Sequence, residues 1–305
     1  MNMKNFYNIA GLPIVMDFDP GPAFENFKVS AVNDGEQRNR PLVFTVNEAE
    51  QRNRPPVFFT VNEAEQRNRP PVFSPVFSVE QEQFRVHCYP DGFLYESRQE
   101  CGAKVYCDKE YYECAVSEGP GSEHLIRLVI ESRLIHEGKI SLHSSCIDSP
   151  DGAFCLTGVS GVGKSTRAAA FCELDGFEMI SGDRPLIDCI CPTAYGVPWD
   201  GKEGLYISKA VPLRGIFSVR RLDQAGDPCS RPRESLRLFS EKAAYQKLIA
   251  QTFLPMWDTD TAAMAMGNLK RLVSGLNVYE LTSGPDTASA QKCLEIMRKE
   301  VFNEN

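Results

Sequence analysis

The sequence predicts an α/β fold in which a C-terminal core of alternating strands and helices follows a β-rich N-terminal domain. A short apolar run at 153–156 leads into a glycine-rich loop and then into a run of good helix formers. Strand-like and helix-like segments continue to alternate up to residue 301, as they do in an α/β core. Residues 82–116, by contrast, alternate apolar and polar side chains between turn signals, which is typical of β-structure.

The N-terminal domain is assigned to residues 1–120, because Gly119-Pro120-Gly121 interrupts the chain there. It begins with an apolar stretch at 7–16 that predicts one or two short strands. The alternating pattern predicts further strands at 84–89, 93–95, 103–107 and 111–116.

A tandem repeat interrupts this domain. The segment 33–44 recurs nearly unchanged at 47–58 and again at 62–73. The period is too short, and the copies are too few, for a solenoid or a propeller. We interpret residues 33–78 as a recently duplicated, flexible insertion that packs loosely. A peptide-binding or oligomerising role for the repeats is the alternative interpretation.

The C-terminal domain is assigned to residues 121–305. Ser122 and Glu123 are expected to begin an amphipathic helix that ends near His136. Strands are predicted at 179–181, 186–190, 210–219 and 277–281, and helical spacing is found at 234–253, 261–274 and 287–301.

The glycine-rich loop fits the pattern G-x-x-x-x-G-K-[ST], in which backbone N–H groups turn inward around a phosphate. The helix that follows would point its positive end at the anion. Lys164 would reach the β- and γ-phosphates, and the hydroxyl of Ser165 would hold Mg²⁺. The pattern therefore predicts ATP and Mg²⁺ as cofactors. The residues expected to bind the nucleotide are Gly158, Ser160, Gly161, Val162, Gly163, Lys164, Ser165 and Thr166.

Composition excludes some classes of function. The net charge of −8 argues against a nucleic-acid-binding protein, which would normally carry a basic face. The sequence has no run of about 18 apolar residues that would predict a membrane span. The N-terminus lacks the apolar core of a signal peptide. We therefore expect a cytoplasmic protein without a membrane partner.

The cysteines agree with that expectation. There are eleven, with no C-x-x-C pair, so a zinc ribbon is not predicted. Those near the glycine-rich loop lie in apolar runs, where cysteine behaves as a small hydrophobic residue. This usage suits a reducing compartment, and a redox switch is the alternative interpretation.

Several segments around the loop together resemble a known family. The order of Leu142-His143-Ser144-Ser145, the loop and the segment 180–187 (Ile-Ser-Gly-Asp-Arg-Pro-Leu-Ile) resembles the HPr kinase/phosphorylase group. That group shares its nucleotide-binding core with phosphoenolpyruvate carboxykinases. The chain is more closely similar to the HPr-kinase-like serine kinases of bacteria and their relatives in peptide-modification clusters. Matching segments lie at 7–12 and 195–203, and the core resemblance covers residues 122–301.

The resemblance implies roles for particular residues. Asp183 would follow a strand beside the loop and serve as the Mg²⁺-binding or base carboxylate. The family usually has two adjacent acids here, whereas this chain has Gly182-Asp183, so one of the two roles lacks a residue. His143 would lie next to the transferred phosphate and orient the nucleophile or Asp183. A turn-forming aspartate and a core histidine are the structural alternatives.

Two cations are further candidates. Lys202 would be a second cation on the phosphates, with Gly201 allowing close approach of the backbone. A solvated loop lysine is the alternative for this position. Arg214 is a further candidate for a substrate or phosphate contact.

The first functional hypothesis is an ATP-dependent kinase that transfers a phosphoryl group to a hydroxyl on a protein serine, a peptide or a small molecule. The second is a non-catalytic ATP-binding regulatory module, which Gly182 in place of an acid favours. The third is a GTPase or transporter-type motor, whose characteristic motifs the sequence lacks. HPr kinases form hexamers, and a homo-oligomer is compatible with the resemblance, but the sequence does not fix the oligomeric state.

Overall fold

The computed structural model describes residues 4–29, 42–46, 75–199, 204–205, 207–224 and 233–302. These residues form two compact units. One contains the described residues up to Arg133 together with Pro255–Thr259, and the other contains Leu134–Leu254 and the residues from Asp260 onward. The division falls within a helix, whereas the sequence signal for a break lies just before that helix begins. Each unit contains a large sheet, so the fold is mixed α/β.

The first unit contains a sheet of eight described strands, in the order β1-β2-β3-β8-β7-β6-β5-β4. Its strand β3 pairs in parallel with β2 and β8, and the other pairs are antiparallel. The strands are β1 Asn5–Ile9, β2 Leu12–Met16, β3 Leu42–Val46, β4 Phe77–Glu80, β5 Phe84–Cys88, β6 Gly92–Ser97, β7 Lys104–Asp108 and β8 Glu113–Ser117, and a 3-10 helix covers Pro22–Phe27.

Trp257 explains why Pro255–Thr259 belongs to this unit. Its indole is buried and packs edge-on against Tyr95 and Phe84, with ring centroids 5.5 and 5.8 Å apart. Its Nε1 donates to the Tyr95 hydroxyl at 3.0 Å. Buried aromatic contacts of this kind contribute most of the stability of a small core.

The repeated segment is described only in part. Strand β3, at 42–46, lies inside the sheet of the first unit and includes the last three residues of the first copy. Residues 75–78 are also described, and Phe77 begins β4 at the edge of that sheet. The predicted loose insertion otherwise lies outside the described residues.

The second unit contains a nine-stranded sheet among its described residues, in which β12-β10-β11-β15-β14-β13-β9 are neighbours and β17 pairs with β15 and β16. Its strands are β9 Lys139–Ser141, β10 Ser144–Asp148, β11 Ala153–Thr157, β12 Glu178–Ser181, β13 Leu186–Asp188, β14 Thr193–Tyr195, β15 Ala210–Arg221, β16 Ser235–Leu238 and β17 Val278–Ser283. The helices are α1 Ser122–His136, which begins in the first unit, α2 Lys164–Cys172, α3 Glu241–Ile249, α4 Thr259–Gly275 and α5 Thr287–Glu300.

Helices cover both faces of this sheet. Along β11, Phe154 and Leu156 belong to the core cluster that contains residues of α2 and α5, whereas Ala153 and Cys155 belong to the cluster that contains residues of α3 and α4. Because successive strand residues point to opposite faces, a strand buried on both sides is apolar throughout. The continuous apolar run at 153–156 has this cause.

One predicted helix is wrong in its first part. The spacing at 234–253 predicts a single helix, but residues 235–238 form β16, which pairs antiparallel with β17. The helix α3 begins only after Ser240, whose hydroxyl accepts from the N–H of Ala243 as an N-cap. Pairing at the edge of the sheet thus overrides the helical spacing.

Among the described residues, we find no helix with both the length and the apolar character that a bilayer crossing requires.

Candidate functional site

The glycine-rich loop connects β11 directly to α2. Gly158, Gly161 and Gly163 all have positive φ, at 143°, 77° and 92°. Gly163 is the N-cap of α2 in the left-handed region, and no side chain caps this helix. The N–H groups in the first turn of α2 therefore have no capping side chain and no partner within the helix.

Lys164, the first residue of α2, folds its side chain back onto the start of the loop. Its Nζ donates to the carbonyl oxygens of Gly158 at 3.0 Å and Val159 at 3.5 Å. Burial lowers the pKa of this ammonium, Asp183 opposes the shift, and the charge of Arg184 adds to it. The ammonium is therefore close enough to interact electrostatically with Asp183 and Arg184, in the segment after β12.

Arg167 braces the loop, and the sequence analysis did not identify it. This buried guanidinium donates from Nη1 to the carbonyl oxygens of Val162 and Gly163, both at 3.1 Å. It also donates from Nε and Nη2 to the hydroxyl and carbonyl oxygens of Ser283, both at 2.8 Å. A cation near the N-terminus of a helix is unfavourable, because the helix dipole is positive there. The arginine so close to the predicted start of α2 is therefore the sequence signal that could have indicated a structural role.

Strand directions bring His143 and Asp183 to the edge of the sheet where the loop begins. Strand β10 runs antiparallel to β11, with Ser144 opposite Thr157, so the start of β10 lies beside the end of β11. Strand β12 runs antiparallel to β10, with Ser181 opposite Cys146, and therefore ends at the same edge. His143 precedes β10 and Asp183 follows β12.

The two side chains meet there. Nε2 of His143 lies 3.8 Å from Oδ1 of Asp183. The backbone around them is fixed, because Thr157 Oγ1 donates to the carbonyl of His143 at 2.9 Å and Ser145 Oγ donates to that of Gly182 at 3.1 Å. The two predicted residues therefore form a pair in this structure.

The imidazole of His143 favours its neutral form. Burial lowers its pKa below the ordinary 6.5, and the positive charges of Lys164 and Arg184 act in the same direction. The carboxylate of Asp183 and a hydrogen bond with the side chain of Gln251 oppose that shift. At neutral pH the ring is therefore free of charge and can accept a proton.

Asp183 carries a buried oxygen without a hydrogen bond. Its Oδ1 accepts none from the described residues, although a third of the side chain is exposed. Native proteins rarely leave such an atom unpaired, so a cation or a proton donor fits there. No cluster of three or more His, Cys, Asp or Glu within the described ranges could hold a metal. Mg²⁺, which takes few protein ligands beside phosphate and water, is compatible with Asp183 and the exposed Ser165.

Arg184 is a second residue that sequence reasoning did not assign. It has φ 53°, in the left-handed region that residues with a Cβ seldom occupy. Its carbonyl accepts from Nε1 of the half-buried Trp199 at 3.3 Å. Its charge lowers the pKa of both Lys164 and His143, so it contributes to a positive region beside Asp183.

Two other predicted cations do not join this group. Lys202 lies outside the described residues, and its role stays a prediction. Arg214 lies at the opposite end of the sheet from the loop, because its neighbour Leu213 pairs with Ala153 at the start of β11. Its Nε donates to the carbonyl of Asp151 at 3.0 Å, which gives it a structural contact.

A cavity of about 550 Å³ adjoins the loop. Residues 161–163, Thr166 and Arg167 form one wall, and segments 221–223 and 284–286 form the others. Neither His143, Lys164 nor Asp183 lines it. The loop thus has a polar edge at His143 and Asp183 and a separate cavity on another side.

None of the protein-family models matches the chain, and no curated protein matches it either.

Proposed function

We propose that this protein is an ATP-dependent kinase that transfers a phosphoryl group to a hydroxyl on a protein serine, a peptide or a small molecule. The observation that carries the proposal is the meeting of Lys164, His143 and Asp183 at one edge of the sheet, where the glycine-rich loop begins. Phosphoryl transfer needs positioned oxygens, charge neutralisation and a proton acceptor, and these groups can supply all three.

The loop and its cations would hold the donor. The N–H groups of the loop and of the first turn of α2 bind the phosphate oxygens, and Lys164 neutralises charge on the β- and γ-phosphates. Arg184 supplies a further positive charge on the side of Asp183. Ser165 and Asp183 would hold Mg²⁺, which when bound neutralises the charge of the phosphate chain.

The His143–Asp183 pair would receive the proton of the acceptor. The hydroxyl oxygen attacks the γ-phosphorus while the bond from that phosphorus to the β–γ bridging oxygen breaks. The hydroxyl proton passes to the pair, and ADP leaves with the bridging oxygen. The neutral ring of His143 supports this role, and Asp183, whose Oδ1 lies 3.8 Å from Nε2 of the ring, faces the positive charge that the proton brings.

The test is transfer of labelled γ-phosphate from ATP with Mg²⁺ to the proteins, peptides and small molecules of a cell extract. We expect Lys164→Ala to abolish labelling, because the phosphates lose their buried cation. Lys247→Ala, at an exposed position on α3, is the matched control and should label normally. Full labelling by the Lys164 variant would contradict the proposal.

A second candidate is an ATP-binding regulatory module without catalysis. Gly182, buried beside Asp183, stands where the resembling family has a second acid, and this observation favours it. Binding of ATP that depends on Lys164, with no label transferred to any acceptor, would support the module over the kinase.

A further inference from the structure

The segment that follows α3 lies directly against the segment that contains His143. Leu142 and Thr252 form an antiparallel bridge. Beside it, the N–H of His143 donates to the carbonyl oxygen of Gln251 at 2.8 Å. The backbone at His143 is therefore held by a distant part of the chain as well as by its neighbours in the sheet.

The register of this bridge brings two side chains together. Because Leu142 pairs with Thr252 in antiparallel register, His143 lies directly opposite Gln251. Side chains at opposite positions of an antiparallel pair lie on the same face, with Cβ atoms about 5 Å apart. In agreement with this geometry, the side chain of Gln251 forms a hydrogen bond with the imidazole of His143.

The amide oxygen of Gln251 is the atom that faces the ring. Burial has the largest effect on the pKa of His143 and lowers it, whereas the hydrogen bond with Gln251 acts to raise that pKa. An amide oxygen that accepts from a ring N–H favours the protonated ring, whereas an amide N–H would favour the bare nitrogen. In the neutral ring, the single proton then lies on the nitrogen that Gln251 holds, and the other nitrogen keeps its lone pair.

Gln251 is itself held in place without help from His143. Its N–H donates to the carbonyl oxygen of Leu248 at 2.9 Å, and the hydroxyl of Thr252 donates to the same oxygen at 2.9 Å. Leu248 is a buried residue of α3, and the side chain of Gln251 is half-buried. A partner that is anchored in this way can fix the orientation of a functional side chain.

We propose that Gln251 is a positioning residue for His143, whose amide oxygen holds the ring in one orientation and one tautomer beside Asp183. The ring nitrogen without a proton then receives the proton of the acceptor hydroxyl as the hydroxyl oxygen bonds to the γ-phosphorus. The ring becomes an imidazolium that faces the carboxylate of Asp183. This inference rests on the proposed function, because an oriented ring has this task only where phosphate is transferred.

The experiment compares two variants of Gln251. Gln251→Met removes the amide and keeps an unbranched side chain, whereas Gln251→Glu keeps an acceptor oxygen. NMR of the ring nitrogens at about pH 8, where the neutral form dominates, measures the tautomer. The chain has only 4 histidines, so His143→Gln identifies the signals of His143 by difference.

The two variants should behave differently. Gln251→Met should show a mixture of both tautomers and transfer labelled γ-phosphate about tenfold or more slowly, with ATP affinity unchanged within about twofold. Gln251→Glu should keep one tautomer and lose less activity. Gln246→Met, at an exposed position of α3, is the matched control and should change neither the tautomer nor the rate.

The outcomes separate this inference from the proposed function. A single tautomer in Gln251→Met, or an unchanged rate of transfer, would overturn the inference while the proposed function stands. So would a loss of ATP binding in that variant as large as its loss of transfer, since this indicates general damage to the site. If the unmodified protein transfers phosphate to no acceptor, the proposed function fails, and the positioning role fails with it.

Discussion

Nη1 of Arg167 occupies the space that a side chain at position 163 would need, and the same nitrogen donates to the carbonyl oxygen of Gly163 at 3.1 Å. Glycine is thus required at position 163 for two independent reasons. The backbone has φ 92°, and a Cβ atom would overlap the guanidinium that holds the loop.

We predict that Gly163→Ala destabilises the second unit by about 2 kcal/mol, since alanine is strained at this φ and must displace Arg167. Gly267→Ala is the matched control, because a Cβ at this position in α4 would meet no atom within 4 Å. It should stabilise the protein by about 0.5–1 kcal/mol. Urea unfolding measures the change in the free energy of unfolding for each variant. If both variants were stabilised, or both destabilised, the prediction would be wrong.

Removal of the brace should cost more than removal of a surface cation. Arg167→Ala leaves the carbonyl of Ser283 and two loop carbonyls without their donor, so we expect a loss of about 2–4 kcal/mol in the free energy of unfolding. Arg271→Ala, at an exposed position of α4, should stay within about 0.5 kcal/mol. If Arg167→Ala unfolded at the same urea concentration as the unmodified chain, the bracing role would be refuted.

His143 should make stability depend on pH. Its pKa in the folded protein is below 6.5, so on acidification the unfolded chain binds a proton before the folded one does. The free energy of unfolding should therefore fall as pH decreases through 6.5 and until the folded pKa is passed. His143→Gln should show a shallower fall between about pH 7.5 and about pH 5.5 in urea titrations. Parallel curves for the two proteins would contradict this expectation.

The reactivity of the cysteine thiols should follow their exposure. Cys101 and Cys191 are exposed, whereas Cys107 and Cys114 are buried opposite each other on β7 and β8. Burial also raises the pKa of the Cys189 thiol to about 12, which leaves it almost wholly protonated. Iodoacetamide should therefore modify Cys101 and Cys191 in the native protein and the buried thiols only in urea, as peptide mass spectrometry can show. Rapid native labelling of Cys107 or Cys114 would instead favour the redox-switch interpretation.

Local patterns predicted the elements around the loop well. The helix that begins at Ser122 ends at His136 as expected, and the apolar run, loop and helix at 153–172 follow in the predicted order. These features depend on neighbours in sequence, such as the glycines of the loop and the apolar residues of one buried strand. The roles of His143 and Asp183, by contrast, were predicted from the resemblance of their segments to a known family and not from local spacing.

Relationships between distant segments could not be predicted. Arg167 and Ser283 are 116 residues apart, and no periodicity connects a helix start to the end of a strand so far away. The cavity likewise needs three segments that only the sheet order β11-β15-β17 brings together. The β16 strand was missed because its pairing with β17, and not its own spacing, decides its conformation.

The place of β3 in the first sheet has a consequence for how the repeat can evolve. Strand β3 begins in the first copy with Leu42-Val43-Phe44, and the second copy has Pro56-Val57-Phe58 at the matching positions. The chain that leaves β3 must reach β4 beyond four other strands, a span of roughly 24 Å at about 4.8 Å per strand. Even one copy fewer leaves about 15 residues, which can extend roughly 50 Å. Unequal recombination that adds or removes a copy after β3 would therefore lengthen or shorten this crossing while the chain can still connect β3 to β4, so copy number can change without a change of sheet order.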